Sequence, residues 1–183
     1  MAPTLRKIAV VILTLYSSNA VHADVARENK IKAAYLYHII NFVQWPGDNS
    51  NSRKHMSICL VGDATFQSLL KPLTNNSSSH YDVEIVVNHS NASVDGCHIV
   101  YFANTTVEQT KYLIAQTRNR PILTLGDVPG FARLGGMIGF VNHENNVRLE
   151  VNLSSANNAG LSISAKLLEV ALNIIEDQSV DSQ

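Results

Sequence analysis

The stretch from Pro121 to Ile175 constrains the chain most, because two extended runs, a tight turn and a closing helical pattern follow one another within it. Pro121 fixes its own φ and launches the apolar run Ile122, Leu123, Thr124, Leu125, which Gly126 and Asp127 end as turn formers. This predicts a buried strand. After a loop around Pro129 and Gly130, the pair Gly135-Gly136 leads into an apolar run from Met137 to Val141. Val147, Leu149 and Val151 then alternate with Arg148, Glu150 and Asn152, as a half-buried strand requires.

His143-Glu144-Asn145-Asn146 separates those two runs, and because Asn tolerates positive φ, a tight hairpin is expected there, placed at an edge of the sheet. A short helix is read from Ser154 to Ala159, with Gly160 as its stop. A longer helix should start near Ser164, since Leu167, Leu168, Ala171, Leu172, Ile174 and Ile175 recur at helical spacing.

Earlier in the chain, Arg27 to Trp45 lacks Gly and Pro and sets Ile31, Tyr35, Ile39, Phe42 and Val43 on one side of a helix, which Pro46-Gly47 ends. Met56 to Val61 reads as a strand, Gly62-Asp63 as a turn, and Phe66, Leu69 and Leu70 as the start of a helix. That turn has neither GxGxxG nor GxxxxGK[ST], so it reads as an ordinary strand-to-helix connection rather than a phosphate cradle. The polar run Thr74 to Ser79 is expected to be a mobile loop. Val83 to Val87 and Cys97 to Phe102 read as two more strands. Thr106-Val107-Glu108-Gln109 then has the form of a capping box that opens a helix reaching about Arg118. Strand and helix alternate. The fold class is therefore α/β: a mostly parallel sheet flanked by helices, with an antiparallel hairpin near the C-terminal end, in one domain over 24–183 whose last residues, 176–183, fray.

Arg6 and Lys7 precede an apolar run from Ile8 to Tyr16 that is too short to span a bilayer, and Val21-His22-Ala23 sets small residues before Asp24. Residues 1–23 thus read as a signal peptide cleaved before Asp24, the other readings being an uncleaved membrane anchor or a disordered leader. Without them, 14 basic and 15 acidic residues become 12 and 15, since only Arg6 and Lys7 are lost. A mildly acidic chain with no Lys/Arg-rich run neutralises little phosphate, so no nucleic acid is expected as a partner.

Cys59 and Cys97 are the chain's only cysteines, and in an exported protein a disulfide between them is the default expectation. The histidines are dispersed, with no HExxH, so neither a metal nor any other cofactor is expected. No GxSxG elbow exposes a serine, and no enzyme is expected. Six Asn-x-Ser/Thr sequons, at Asn75, Asn76, Asn88, Asn91, Asn104 and Asn152, would matter in a eukaryotic secretory pathway.

The strings GDVPGFARLGGMIGFV and VRLEVNLSSANNAGLSISAKLLEVA, together with KAAYLYHIINFVQWP near the start, resemble the YfiR family in order and spacing over nearly all of the mature chain. Relatives in that family carry a cysteine pair at matching places, and some carry a second pair that this chain lacks. The resemblance implies a periplasmic repressor that holds an inner-membrane diguanylate cyclase inactive through its periplasmic part. An outer-membrane peptidoglycan-binding lipoprotein would sequester the repressor in turn. Lower cyclic-di-GMP signalling and less biofilm would follow. The sequence leaves a homodimer open. The alternative is a periplasmic small-ligand sensor with its pocket at the carboxyl ends of the strands.

Aromatic and Arg residues dominate binding hot spots, which makes two groups candidates for partner contact. One is Phe42 and Trp45 at the end of the first helix, Trp45 reading equally as a core residue. The other is Phe131, Arg133 and Leu134 in the glycine-bounded loop Val128 to Gly136, where the competing reading buries Phe131 and Leu134.

Overall fold

The computed structural model describes residues 24–47, 54–75, 81–88 and 93–176. The leader over 1–23 and the tail from 177 lie outside the described residues, as do 76–80, the larger part of the loop read over Thr74 to Ser79.

The chain opens with helix α1 over residues 24–39, followed by a 3-10 turn at Ile40–Phe42 and the short strand β1 at Val43–Gln44. The helix read to Trp45 therefore ends earlier. Its last turns are taken over by tertiary pairing: β1 lies antiparallel to β8 (Ser162–Ile163), with Val43 opposite Ile163, and the Ser164 N–H donates to the Phe42 carbonyl at 2.9 Å. Pro46 adds to this, since the residue before a proline is pushed out of the helical region.

Strand β2 (Lys54–Gly62), helix α2 (Phe66–Thr74), strand β3 (Tyr81–Asn88), strand β4 (Ile99–Ala103), helix α3 (Val107–Thr117) and strand β5 (Leu123–Gly126) follow the expected alternation. Thr106 caps α3 by accepting from the Gln109 amide at 3.2 Å, the bond its capping-box spacing predicts. Then come β6 (Ile138–His143), β7 (Asn146–Asn152), α4 (Leu153–Asn158), α5 (Ala165–Glu169) and β9 (Asn173–Ile175). The main sheet has the order β3-β2-β4-β5-β6-β7-β9, parallel except where β6 meets β7.

The hairpin turns on Glu144 and Asn145, both at positive φ (52° and 60°), which is a two-residue turn whose twist matches the strands it joins. It is not the edge of the sheet. β9 lies outside it, parallel to β7, with the Leu172 N–H donating to the Leu149 carbonyl at 2.7 Å. The long helix expected from Ser164 is consequently five residues, because the open backbone of β7 recruits Asn173–Ile175 as a strand. Gly160 does stop α4: at φ 75° it lets its own N–H reach the Asn157 carbonyl and the Leu161 N–H reach Ala156, the paired bonds of a left-handed helix end.

Alternation along the central strands builds two cores. Ile58, Leu60, Ile99, Tyr101, Leu123 and Leu125 meet Leu36 and Ile39 of α1 and Phe66 and Leu70 of α2 on one face. Cys59, Val61, Val100 and Phe102 meet Leu113 and Ile114 of α3, together with Val128 and Phe131, on the other.

Candidate functional site

At the carboxyl ends of the parallel strands, where an open α/β sheet ordinarily offers its crevice, this chain inserts its own side chains. Lys32 of α1 is 7% exposed and its Nζ lies 2.8 Å from Glu28 and 2.9 Å from Asp127, the residue that follows β5. The Tyr101 hydroxyl donates to the same Asp127 carboxylate at 3.3 Å. The neighbouring fork between β2 and β4 is closed by backbone: the Asp63 N–H bonds the Ala103 carbonyl at 3.0 Å, and a Cβ on Gly62 would collide with that oxygen. The place to which the small-ligand alternative assigns its pocket is thus occupied by Lys32, Tyr101 and Asp127.

Burial works to lower the Lys32 pKa, but hydrogen bonds and charge from Glu28 and Asp127 outweigh it and hold the value above the ordinary 10.5. Burial, reinforced by the Asp127 carboxylate, pushes the Tyr101 hydroxyl far above its ordinary range. A lysine raised in the folded state contributes stability that is fully present below its unfolded pKa, about 10.4, and lost as pH rises through the folded value. Lys32→Met should therefore lower stability at neutral pH by about 1–3 kcal/mol, by leaving Asp127 short of a partner. The gap to the parent chain should narrow above about pH 10.5 in thermal melts. A gap that stays constant to high pH would assign the loss to packing instead.

A second arrangement lies along α1. Ile31, Ala34, Tyr35, His38, Ile39 and Phe42 form one wall of an open, mostly apolar groove of about 750 Å³, and Leu167 and Val170 at α5 form the other, flanked there by the charged Lys166 and Glu169. Val170 is 52% exposed. On β9 nearby in sequence, Ile174 is 44% exposed. α5 is too short to cover the stripe of α1, so the groove follows from the replacement of a long final helix by β9. The helical spacing of Leu167 to Ile175 pointed away from it, and no motif in the sequence announced it.

The five candidate contact residues do not form one surface. Phe42 and Trp45 are half-buried and pack against the core on the α1 face, whereas Phe131 and Leu134 belong to the core on the α3 face. Phe42 lines the groove just described. Trp45 lines a separate cavity near the amino ends of the strands. Phe131 is 1% exposed, its ring 5.4 Å from that of Phe102, so it has no surface to present to a partner. The loop buries it because Gly126 and Gly136, without Cβ atoms, leave the slot its ring fills. Leu134 is half-buried beside it, and Arg133 alone of the three is open to solvent, 3.8 Å from Glu150 of β7.

Cys59 and Cys97 form the disulfide, 38 residues apart in sequence, joining β2 to the turn that enters β4 inside the second core. Cys97 precedes its strand rather than lying on it, since β4 starts at Ile99. Next to it, His98 accepts the Ser57 N–H on Nδ1 at 3.1 Å, and burial, then the charge of His55, lowers its pKa. Among the described residues no His, Cys, Asp or Glu group of three is placed to hold a metal ion, and no helix is long and apolar enough to cross a membrane.

A solved structure, a conserved domain protein from Vibrio cholerae O1 biovar El Tor strain N16961, resembles this one with a TM-score of 0.55 at 13% identity. The match covers 80% of this chain and 60% of that one, and it speaks for the fold alone. The family profile described as YfiR/HmsC-like matches residues 29–172, which takes in every strand of the main sheet up to β7, the groove along α1 and the disulfide. By that match the chain belongs to the YfiR/HmsC-like family.

Proposed function

We propose that this protein is a periplasmic regulator that binds the periplasmic part of an inner-membrane diguanylate cyclase and holds it inactive, lowering cyclic-di-GMP and biofilm formation. Family membership supports the regulatory role in the periplasm. The observation that carries the docking assignment is the open apolar groove between α1 and α5, rimmed by exposed Val170, which gives a partner's apolar segment somewhere to be buried. Repression then requires tighter binding to the cyclase's inactive form than to its active one, a population shift that needs no cofactor. In this reading residues 1–23 are removed before Asp24, and a peptidoglycan-binding lipoprotein of the outer membrane competes for the repressor.

Two exposed groove residues test the assignment without touching the core: Val170→Glu and His38→Glu place a charge where an apolar contact would form. Both variants should raise cellular cyclic-di-GMP to the level of a null strain while the purified proteins keep their melting temperatures. Arg133→Ala, on the opposite face, should raise it less. Full repression by both groove variants would remove the groove as the docking surface.

A further inference from the structure

The two walls of the groove along α1 are fastened to each other by a short clip. The end of α1 reaches the start of α5 through β1 and β8, a sheet of two residues a side that is separate from the main one. The Ser164 N–H adds one bond to the Phe42 carbonyl at 2.9 Å. A two-stranded pair is marginally stable by itself. Gln44 and Ser162, opposite each other in the clip, are both exposed, so solvent lies against it.

Closing the clip leaves polar groups without partners. β1 runs into Trp45 and β8 into Ser164, and the Trp45 indole nitrogen and the Ser164 hydroxyl are buried with no hydrogen-bond partner among the described residues. Such a group disfavours the state that buries it. Ser164 stands at the cap position of α5, where a serine hydroxyl ordinarily accepts an amide of the first turn, yet it makes no such bond. Thr106 and Asn152 do cap their helices in that way. Beyond the clip, α5 is five residues long and Leu167 is its one buried side chain. The opposite wall is held far more firmly, since α1 buries Ala33, Leu36 and Ile39.

We infer that β1 and β8 form a latch: the clip opens together with α5 while the main sheet stays folded, and the groove passes between a latched form and a released, wider one. Release lets water reach the Ser164 hydroxyl. The far end of the released segment stays tied, because β9 pairs with β7 and the Leu172 N–H bonds the Leu149 carbonyl. A docking segment broader than the latched groove enters only after release. That consequence rests on the docking role proposed for the groove, whereas the latch itself is measured on the isolated protein and can fail while that role stands.

Amide hydrogen exchange of the folded, disulfide-intact protein at low urea concentrations separates the two kinds of opening, since local release exposes less surface than global unfolding and responds less to urea. The amides of Ser164, Leu167 and Leu168, the last two bonded to the Ser164 carbonyl, should exchange through one shared opening. Its urea dependence should be smaller than that of the Leu123 amide, which bonds the His98 carbonyl in the main sheet. Ser164→Ala, which removes the unpaired hydroxyl, should slow the shared exchange about five- to tenfold. Thr106→Ala removes a hydroxyl that does cap, and should speed exchange of the Gln109 amide instead. Three results would overturn the latch: exchange of Ser164 with the urea dependence of Leu123, opening of Ser164 without Leu167 and Leu168, or faster exchange in Ser164→Ala, as a lost cap would give.

Discussion

Truncating Phe131 to Ala is expected to cost about 3–5 kcal/mol of folding stability, the range for a large aromatic removed from a well-packed core. The ring is 1% exposed and lies against Phe102 and between the backbones of Gly126 and Gly136. Those two contacts are with main chain, which cannot move in to refill the space as flexible side chains can, so relaxation should recover little. Gly136→Ala gives the complementary test, since its new methyl would enter the ring's volume. Urea unfolding of both variants measures the effect. A Phe131→Ala loss under about 1 kcal/mol would mean that the ring is not packed as described. Because the residue is internal, any loss of repression in this variant should follow the lost folded fraction and not a lost contact.

The disulfide carries the other large effect. Closing a loop between residues 38 apart should stabilise the fold by about 4 kcal/mol in the chain-entropy account, acting on the unfolded chain. Replacing Cys59 and Cys97 together by Ala avoids placing two hydroxyls in an apolar core, since the cysteines are only 2% and 7% exposed. The double variant should lose that stability in urea unfolding. Its folded fraction should keep the groove along α1, because the disulfide lies in the core of the other face. Unchanged stability with lost repression would make the bond a redox switch instead of a brace.

Much of the sheet could be read from the chain because β2, β4 and β5 are largely apolar runs set off by Gly, Pro or Asp, β3 alternates apolar with acidic residues, and Thr106 announces its helix through a bond it makes. What could not be read depended on distant partners. Val43 is a good helix residue by spacing and becomes a strand only because Ile163 lies opposite it. Asn173–Ile175 continues a helical stripe on paper and leaves it for the open edge of β7. Phe131 was the most instructive case: glycines on either side suggested an exposed loop, whereas those at Gly126 and Gly136 make the room into which the ring is buried. The candidate contacts suffered for the same reason. Phe42 and Arg133 resemble hot-spot residues equally well in sequence, and only the sheet between the two cores separates them.

The order of strand pairing also bears on how the chain is made. Strand β2 must wait for β3 and then β4, each reached through a crossover, and β5 in turn waits on α3. Non-local ladders of that kind form slowly. The hairpin of β6 and β7 is the one pair that a two-residue turn can close by itself, within about 1–10 μs, and it comes near the carboxyl end. As a polypeptide growing from its amino terminus, this chain reaches residue 137 before any such quick pair is available. The parallel part of the sheet has to be drawn together from segments far apart in the chain, and the hairpin alone offers a ladder that closes on itself.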